Sequence, residues 1–436
     1  MIVNNHPFPV NDQGHLEIGG IDCVDLAKKY GTPLYVYDVS IIRQKAKGFV
    51  KAFQHRNIKA KVAYASKAFS SIAILQVINQ EGLCLDVVSE GELYTALKAG
   101  FPVERIHFHG NNKSLRELRM AVRNNIGCIV VDNFLEIDML HQVLTEEKKT
   151  MDVLIRVTPG VESHTHEYIQ TGSEDSKFGF NIQNRQAEQA FRHGKQYDNI
   201  RIRGVHCHIG SQIFETEGFR LAVEVVFQEM AIWKERYGYV PEVVNFGGGF
   251  GIRYTEDDQP LPHKRYVDDL VEAVQKEADK LQIALPEIWI EPGRAIVGEA
   301  GITLYTIGAL KEIPGIRSYI AVDGGMTDNI RPALYQAKYE GVVANKADHS
   351  PKRNVSIAGK CCESGDMLIW NLPVPEVEPG DILAVFSTGA YGYSMASNYN
   401  RLPKPAVVFV ENGKDQLVVR RETYDDIVRN DLFYES

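Results

Sequence analysis

The sequence of 436 residues lacks the features that mark several large classes of protein. No apolar run approaches the 18 residues of a membrane-spanning helix, and the first residues, MIVNNHPFPVNDQGHLEIGG, show no basic segment followed by an apolar one. Lys, Arg, Asp and Glu are intermingled, with a formal net charge of −9 and no basic tract. These absences argue against a membrane protein, a secreted protein and a nucleic-acid-binding protein, and we expect a cytoplasmic one.

Cysteine is scarce, and no CxxC spacing is present, which argues against a structural zinc site. Two of the six cysteines are adjacent, in GKCCESGD (359–366). Neighbouring cysteines rarely pair, because disulfide geometry resists so short a link. Either one of the two thiols does chemistry, or the pair is an accident of packing. The cysteines, for which free thiols are the default expectation, are Cys23, Cys84, Cys128, Cys207, Cys361 and Cys362.

Short apolar runs alternate with amphipathic segments over the first two thirds of the chain. Ser89 and Glu92, and again Ser114 and Glu117, have the S-x-x-E spacing of a helix capping box. Eight strand–loop–helix units predict an α/β fold with parallel strands, and their number favours a closed (β/α)8 TIM-type barrel. The predicted strands are 61–66, 83–88, 106–110, 127–132, 153–160, 202–210, 243–251 and 287–294.

After about residue 300 the pattern changes to short alternating strands joined by turns, which predicts a mainly antiparallel β domain, sandwich-like or barrel-like. ENGKD (411–415) carries an Asn-Gly hairpin signal. PLYVYD (33–38) is strand-like and could join either domain. The expected domains are an N-terminal segment (1–38) that packs with the C-terminal β domain, a barrel (39–300) and that β domain (301–436).

Active residues of such barrels lie at the C-terminal ends of the strands. Those ends carry Lys67, His208, the glycine turn 247–249, Glu291 and Arg294. A lysine, a histidine, a glycine-rich turn, an acid and an arginine at one barrel mouth suit a phosphorylated cofactor bound through an imine.

The lysine has one rival in the sequence. AYASKAF surrounds Lys67 with small and apolar neighbours, which predicts a desolvated amine able to attack an aldehyde. SKFGF places Lys177 beside a glycine, but the polar run TGSEDS before it indicates a solvated loop. We therefore prefer Lys67.

Other interpretations of these motifs are weaker. GGGFG is neither a Walker A loop nor GxGxxG, because no Gly-Lys-Ser/Thr follows and Ile252 occupies the place of the last glycine. HCH (206–208) and HTH (164–166) could be metal ligands, but neither has a convincing third ligand, and we predict no metal.

Seven motifs together resemble one family, the diaminopimelate decarboxylases, which belong to the alanine-racemase-like, fold-type III pyridoxal-phosphate enzymes. The likeness runs in order from about residue 15 to residue 430. The motifs are AYASKAFSS, HCHIGSQI, GGGFGI, IEPGRA, DGGMTDNIRPALY, CCESGD and TGAYGYSMASNYN.

The resemblance implies pyridoxal 5'-phosphate as cofactor and the decarboxylation of meso-2,6-diaminopimelate to L-lysine and CO2, the last step of lysine biosynthesis. Lys67 would hold the cofactor covalently, His208 would stack on its ring, and Glu291 would keep its pyridine nitrogen protonated. The other implied cofactor-binding residues are Ser211, Gly247, Gly248, Gly249, Pro292, Gly293, Arg294 and Tyr391.

The resemblance also answers the question of the paired cysteines. Cys362, the cysteine before Glu-Ser-Gly, would protonate the carbon from which CO2 has left, whereas Cys361 has no assigned role. In related decarboxylases this loop reaches the lysine-bearing mouth of a second subunit. A homodimer with active sites at its interface is therefore implied.

Substrate specificity follows from charge. The end of diaminopimelate that is not decarboxylated is a zwitterion, and a buried charge without a partner is costly. Arg331 and Tyr335 share a face if their segment is helical, and with Arg294 they would bind the distal carboxylate. Glu363 would receive the distal ammonium group, and Tyr391 would contact the substrate.

Three alternatives remain. A polyamine-type decarboxylase acting on ornithine, arginine or carboxynorspermidine would not need this set of arginines. A racemase would need a second base on the opposite face of the cofactor, which the CCESGD loop does not favour. A non-catalytic homologue would tend to lose Lys67, Glu291, Cys362 or Tyr391, all of which are present.

Overall fold

The computed structural model describes residues 7–161 and 175–434, and the chain divides into two compact units. The segment Arg253–Asp258 belongs with the C-terminal part of the chain, although barrel sequence continues after it; the sequence alone did not predict this excursion. The barrel unit consists of Arg43–Ile252 and Gln259–Ile296, and the β unit consists of Met1–Ile42, Arg253–Asp258 and Val297–Ser436.

The N-terminal segment begins with a short antiparallel hairpin followed by a capped helix. The Asp22 carboxylate accepts a hydrogen bond from the Val24 N–H and so caps the first helix. The elements are β1 (Glu17–Ile18), β2 (Ile21–Asp22), α1 (Cys23–Tyr30), β3 (Leu34–Asp38) and α2 (Val39–Arg56).

Eight parallel strands close into a barrel, as the sequence predicted. They follow one another round the barrel in chain order, with β10 pairing β8 and β12 pairing β4, while the two-residue β9 pairs only with β8. The eight barrel strands are β4 (Ala60–Ala65), β5 (Cys84–Val87), β6 (Ile106–Phe108), β7 (Cys128–Val131), β8 (Met151–Thr158), β10 (Ile200–His206), β11 (Val243–Asn245) and β12 (Glu287–Ile290), and β9 is Phe180–Asn181.

Helices follow the strands, and several of them begin at a side-chain cap. Ser114 and Glu117 form the predicted reciprocal capping box. Ser89 accepts from the Glu92 N–H, but the Glu92 carboxylate accepts from the Val88 N–H and from Ser66 instead, so this predicted box is only half formed. The helices are α3 (Ile72–Gln80), α4 (Glu90–Lys98), α5 (Leu115–Arg123), α6 (Phe134–Glu147), α7 (Gln186–Gly194), α8 (Glu217–Tyr237), α9 (His263–Leu281) and α10 (Arg294–Val297).

The interior of the barrel holds aromatic rings. The His107 ring on β6 stacks on the Trp289 ring on β12, with 4.4 Å between centroids and 10° between planes. Trp289 packs in turn with Cys128, Val130 and other buried residues. Side chains rather than water therefore fill this part of the barrel.

The β unit is a mixed but mainly antiparallel sheet. β14–β16 and β3–β19 are its parallel pairs, and the long strand β13 pairs with β3, β18 and β14 along its length. The elements are β13 (Gly301–Ile313), β14 (Arg317–Val322), α11 (Arg331–Tyr335), β15 (Gly341–Val343), β16 (Arg353–Ala358), β17 (Met367–Val374), β18 (Ile382–Val385), β19 (Ala406–Glu411), β20 (Lys414–Val419) and α12 (Tyr424–Val428).

The predicted Asn-Gly hairpin joins β19 to β20. Asn412 and Gly413 both have positive φ, 52° and 72°, as a two-residue type I′ turn requires. In the part of the chain that the structure describes, no helix combines the length and apolarity needed to cross a bilayer.

His107 should make the protein sensitive to acid. Burial lowers the pKa of His107 to about 3, and its Nδ1 has no hydrogen-bond partner among the described residues. The unfolded chain therefore takes up this proton as the pH falls below about 6.5, whereas the folded chain does not, and stability is lost. Between pH 7 and pH 5 this loss amounts to about 2 kcal/mol.

We expect His107→Phe, which keeps a ring against Trp289 but cannot titrate, to lose less unfolding free energy between pH 7 and pH 5 than the wild type. Urea unfolding followed by tryptophan fluorescence at both pH values measures this difference. His55→Phe, at an exposed position, is the control. Equal losses in the wild type and in His107→Phe would contradict the prediction.

Candidate functional site

Lys67 lies in a single helical turn, Ser66–Ala68, directly after β4. Its neighbours Ser66, Ala68 and Phe69 are buried, but the Lys67 side chain is exposed, so the predicted desolvated amine is wrong for this structure. The apolar neighbours pack inward and leave the lysine at the open end of the strand. Ser66 anchors the turn by donating to Glu92 Oε2 at 2.8 Å.

The electrostatic surroundings distinguish Lys67 from its rival. Burial raises the pKa of Asp86 to about 6, and the neighbouring His109 and Lys67 side chains oppose this rise. Burial likewise raises the pKa of Glu92 against the charge of Lys67. Lys177 is also exposed, but its Nζ lies over the Phe178 ring, 5.0 Å from the centroid. Both lysines are therefore exposed, but Lys67 lies close enough to the buried acids Asp86 and Glu92 to affect their pKa values.

His208 follows β10 and carries a neutral ring. Burial and the positive charges of Lys67 and Arg156 hold the pKa of His208 well below its usual range. Its Nδ1 accepts the Gly248 N–H at 3.2 Å, which is possible only for an imidazole without a proton on that atom. An uncharged ring fixed by one edge suits stacking against another ring.

Glu291, after β12, is a buried carboxylate surrounded by donors. Its Oε2 lies 3.0 Å from His206 Nε2, and its Oε1 lies 3.0 Å from His109 Nε2 and accepts from Asn245 Nδ2 at 2.6 Å. Burial opposes ionisation of Glu291, but the two imidazoles outweigh it and hold the pKa of this carboxyl well below its usual range. Glu291 is therefore ionised at neutral pH.

His109, His206 and Glu291 also place ligand atoms within 4.8 Å of one another, which a metal ion could use. The Glu291 carboxylate is already engaged, however: His206 makes a hydrogen bond to Oε2, Asn245 donates to Oε1, and His109 Nε2 lies at ion-pair distance, 3.0 Å, from Oε1. The two histidines of the HCH motif do not converge on one point, because His206 faces Glu291 while His208 faces Gly248. The HTH pair (164–166) lies outside the described residues.

The glycine turn brings main chain close to the end of β12. A Cβ on Gly248 would lie 2.4 Å from the Glu291 carbonyl oxygen, and one on Gly249 would lie 2.5 Å from that of Gly210, so only glycine fits. Gly247 and Gly248 already donate their N–H groups, to Asn245 Oδ1 and His208 Nδ1. Their contribution is thus close approach rather than free N–H groups.

Two predicted site residues in the barrel unit meet directly. Arg294, at the start of α10 and buried, donates from Nη2 to Ser211 Oγ at 2.8 Å. The guanidinium and hydroxyl together form a cationic, hydrogen-bonding position of the kind that binds phosphate. Pro292 and Gly293 form the turn between β12 and this arginine.

The remaining predicted residues lie in the β unit. Arg331 and Tyr335 bound the short helix α11, so the predicted i, i+4 relation is present. Tyr391 has a left-handed backbone, φ 60°, which is uncommon for a residue with a side chain and often marks a functional site. Cys362 and Glu363 are exposed, whereas Cys361 is buried.

The residues of the barrel unit fit pyridoxal phosphate. An exposed lysine suits covalent attachment, a buried ionised carboxylate suits a protonated pyridine nitrogen, and the Arg294–Ser211 pair suits the phosphate. The neighbours of Glu291 also suit this cofactor, because they keep the carboxylate ionised and able to accept a hydrogen bond from a protonated pyridine nitrogen.

Sequence reasoning missed the partners of Glu291. His206 and Asn245 are the last residues of β10 and β11, and His109 follows β6 by one position. The signal was available, since the rule that assigns function to strand ends applies to these residues as well. Which of them face one carboxylate depends on the closed barrel, which no local pattern encodes.

Comparisons with known proteins agree with this geometry. Residues 39–298 match the family model described as "Pyridoxal-dependent decarboxylase, pyridoxal binding domain". A diaminopimelate decarboxylase of Bacillus subtilis (strain 168) is 63% identical, covering 98% of this chain and 97% of its own. One of Staphylococcus aureus (strain COL) is 47% identical, covering 97% and 98%.

Solved structures extend the likeness to three dimensions. The diaminopimelate decarboxylase of M. jannaschii in complex with L-lysine has a TM-score of 0.92 at 34% identity and covers 99% of both chains. With relatives this similar over nearly its whole length, and with a barrel mouth suited to pyridoxal phosphate, the chain belongs to the diaminopimelate decarboxylase family of pyridoxal-phosphate-dependent enzymes.

Proposed function

We propose that this chain decarboxylates meso-2,6-diaminopimelate to L-lysine and CO2, the last step of lysine biosynthesis. The observation that carries the proposal is a buried cation in the β unit. Arg331 is 7% exposed, and among the described residues no carboxylate lies within 4.0 Å of its guanidinium. A second carboxylate on the substrate would supply the missing counter-charge. Diaminopimelate has such a carboxylate, whereas ornithine has only the one that leaves as CO2.

The residues of the barrel unit prepare the cofactor. When bound, pyridoxal phosphate supplies a pyridine ring that accepts the electron pair released as CO2 leaves. Lys67 Nζ attaches the cofactor covalently, and ionised Glu291 holds a proton on the pyridine nitrogen. His208 offers a neutral ring as a stacking surface. The phosphate would be bound by Arg294 and Ser211, and the glycine turn 247–249 would allow it to approach the main chain closely.

The β unit would supply the proton and the selectivity. After the bond to the carboxyl carbon breaks, the reacting carbon takes a proton from Cys362 Sγ. Arg331 and Tyr335 bind the distal carboxylate, Glu363 binds the distal ammonium group, and Tyr391 contacts substrate and cofactor. Because meso-diaminopimelate has one D and one L carbon and the product is L-lysine, CO2 must leave from the D carbon.

A homodimer would complete the active site, with the Cys362 loop of one subunit serving the lysine-bearing mouth of the other. The exposure of Cys362 and Glu363 on the chain supports this arrangement. We also infer a cytoplasmic enzyme, because all six cysteines are free thiols, as expected in a reducing compartment.

We expect purified protein supplied with pyridoxal phosphate to release CO2 from meso-diaminopimelate, and Lys67→Ala to abolish this release because the cofactor loses its attachment. Borohydride reduction followed by peptide mass spectrometry should find the pyridoxyl group on Lys67. Lys177→Ala is the matched control and should keep both properties. A pyridoxyl group on Lys177, or CO2 release from ornithine but not from diaminopimelate, would overturn the assignment.

His206→Phe removes a donor from Glu291 Oε2, and the remaining carboxylate should protonate at a higher pH. Since Glu291 must be ionised, the acid limb of the kcat/KM–pH profile should move to higher pH. His206→Gln restores a donor and should move the limb back towards the wild-type position. His349→Phe, at an exposed site, is the control. An acid limb that does not move in His206→Phe refutes the role given to this contact.

Cys362→Ala should retain the cofactor but lose about 10²–10⁴-fold in kcat, the usual worth of a positioned proton donor. Cys361→Ala, one residue away, should turn over close to the wild-type rate, although burial of Cys361 makes a check of its thermal stability necessary. Single-turnover measurements with both variants give the comparison. Equal rates in Cys362→Ala and wild type would remove this thiol from the mechanism.

A further inference from the structure

Two tyrosines surround the guanidinium of Arg331 within the β unit. The Arg331 Cζ lies 4.8 Å from the centroid of the Tyr254 ring and 5.7 Å from that of the Tyr339 ring. The two rings contact each other edge to face, with centroids 5.3 Å apart and planes at 83°. Tyr254 and Tyr339 are 7% and 4% exposed, so this aromatic pair is as buried as the cation it contacts.

The pair also makes a directional contact. Arg331 Nη1 donates a hydrogen bond to the Tyr339 hydroxyl oxygen. A guanidinium has five N–H donors in one plane, and this bond with the two ring faces restrains that plane. Burial of Arg331 opposes its charge, but Tyr254 and Tyr339 outweigh this and keep its pKa above the usual range. The guanidinium is therefore held in place and charged without an ion pair to a carboxylate among the described residues.

Tyr254 comes from the segment Arg253–Asp258, which follows the glycine turn in sequence but belongs to the β unit. The Tyr254 N–H and the Thr255 N–H both donate to Asp258 Oδ2, at 2.9 and 3.0 Å, which closes the segment into a compact turn. The segment Arg253–Asp258 thus supplies one of the two rings that contact Arg331.

We propose that Tyr254 and Tyr339 determine specificity by holding the Arg331 guanidinium for the distal carboxylate of the ligand. They are positioning residues that act through Arg331, and the inference rests on the substrate-binding role proposed above for that arginine. Without the rings the guanidinium would gain rotational freedom and water, and it would discriminate less between a ligand with a carboxylate and one without.

The sharpest test compares two ligands that differ by one carboxylate. L-Lysine, the product, keeps the distal carboxylate, whereas 1,5-diaminopentane has the same chain and amines without it. Calorimetric titration of the holoenzyme gives the dissociation constant of each, and their ratio measures recognition of the carboxylate. We expect Tyr254→Leu to raise the dissociation constant of L-lysine about tenfold, which is the size of a desolvated cation–π contact. The dissociation constant of diaminopentane should change less than about twofold.

Conservative variants separate the ring from the hydroxyl. Tyr254→Phe keeps the ring and should keep the wild-type ratio, whereas Tyr339→Phe loses the hydrogen bond to Arg331 and should weaken L-lysine selectively. In steady-state assays, KM for diaminopimelate should rise more than kcat falls in Tyr254→Leu. Tyr30→Phe, which loses a hydroxyl contact with Asp415 elsewhere in the β unit, is the matched control and should leave the ratio unchanged.

The outcomes distinguish this inference from the proposed function. Two results would overturn the inference by showing that the aromatic pair is merely structural. In the first, Tyr254→Leu weakens the binding of L-lysine and diaminopentane equally. In the second, the ratio of their dissociation constants is unchanged and only the thermal midpoint falls. Arg331→Met should abolish the preference for L-lysine. A wild type without that preference, or an Arg331→Met variant that retains it, would instead overturn the role proposed for Arg331 itself.

Discussion

The chemistry proposed for the barrel unit depends on one buried carboxylate, that of Glu291, staying charged. A buried carboxylate without partners takes up a proton rather than pay the cost of desolvation. Glu291 escapes this because His109, His206 and Asn245 converge on its two oxygens. The role proposed for Glu291, beside the pyridine nitrogen of the cofactor, needs this charge, and residues from several strands converge to maintain it.

The topology of the barrel is what allows these donors to meet. Asn245 pairs in register with His206 on one side and with Trp289, two residues before Glu291, on the other. His109 comes from the opposite side of the barrel, since β4 and β5 separate β6 from β12. An open sheet would keep His109 away from Glu291. Closure therefore does more than bury apolar side chains, because it brings the His109 ring within 3.0 Å of the Glu291 carboxylate.

The same constraint explains what could be predicted from the sequence. The eight strands and the Asn412–Gly413 hairpin follow from local patterns, and both are present. The strand-end rule also found Lys67, but its exposure went against the apolar neighbourhood, because side chains adjacent in sequence point in different directions at the end of a strand. Glu92 shows a related failure: its spacing from Ser89 indicated a capping box, yet its carboxylate anchors Ser66.

Elements that depend on distant contacts were harder to predict. Strand β17, MLIWNLPV, contains a proline and register shifts against β16, so its burial does not alternate and no strand was predicted there. The segment Arg253–Asp258 has too few residues for any periodicity, and its membership in the β unit depends on contacts with residues far along the chain. Tyr254 consequently drew no attention as a sequence feature.

Each unit contains a buried charged residue, Glu291 or Arg331, and the protein stabilises the two charges in different ways. Glu291 in the barrel unit has its charge stabilised by neighbouring side chains, which hold its pKa well below the usual range. Arg331 in the β unit is stabilised by aromatic faces and a phenol, which keep it charged but leave no negative partner among the described residues. A charge satisfied by the protein is suited to tuning a cofactor, whereas a charge left unbalanced is suited to selecting a substrate. Exchanging the two environments would remove both proposed roles, because an arginine paired with a protein carboxylate has little affinity left for a ligand carboxylate, and a glutamate without these partners would no longer be an anion.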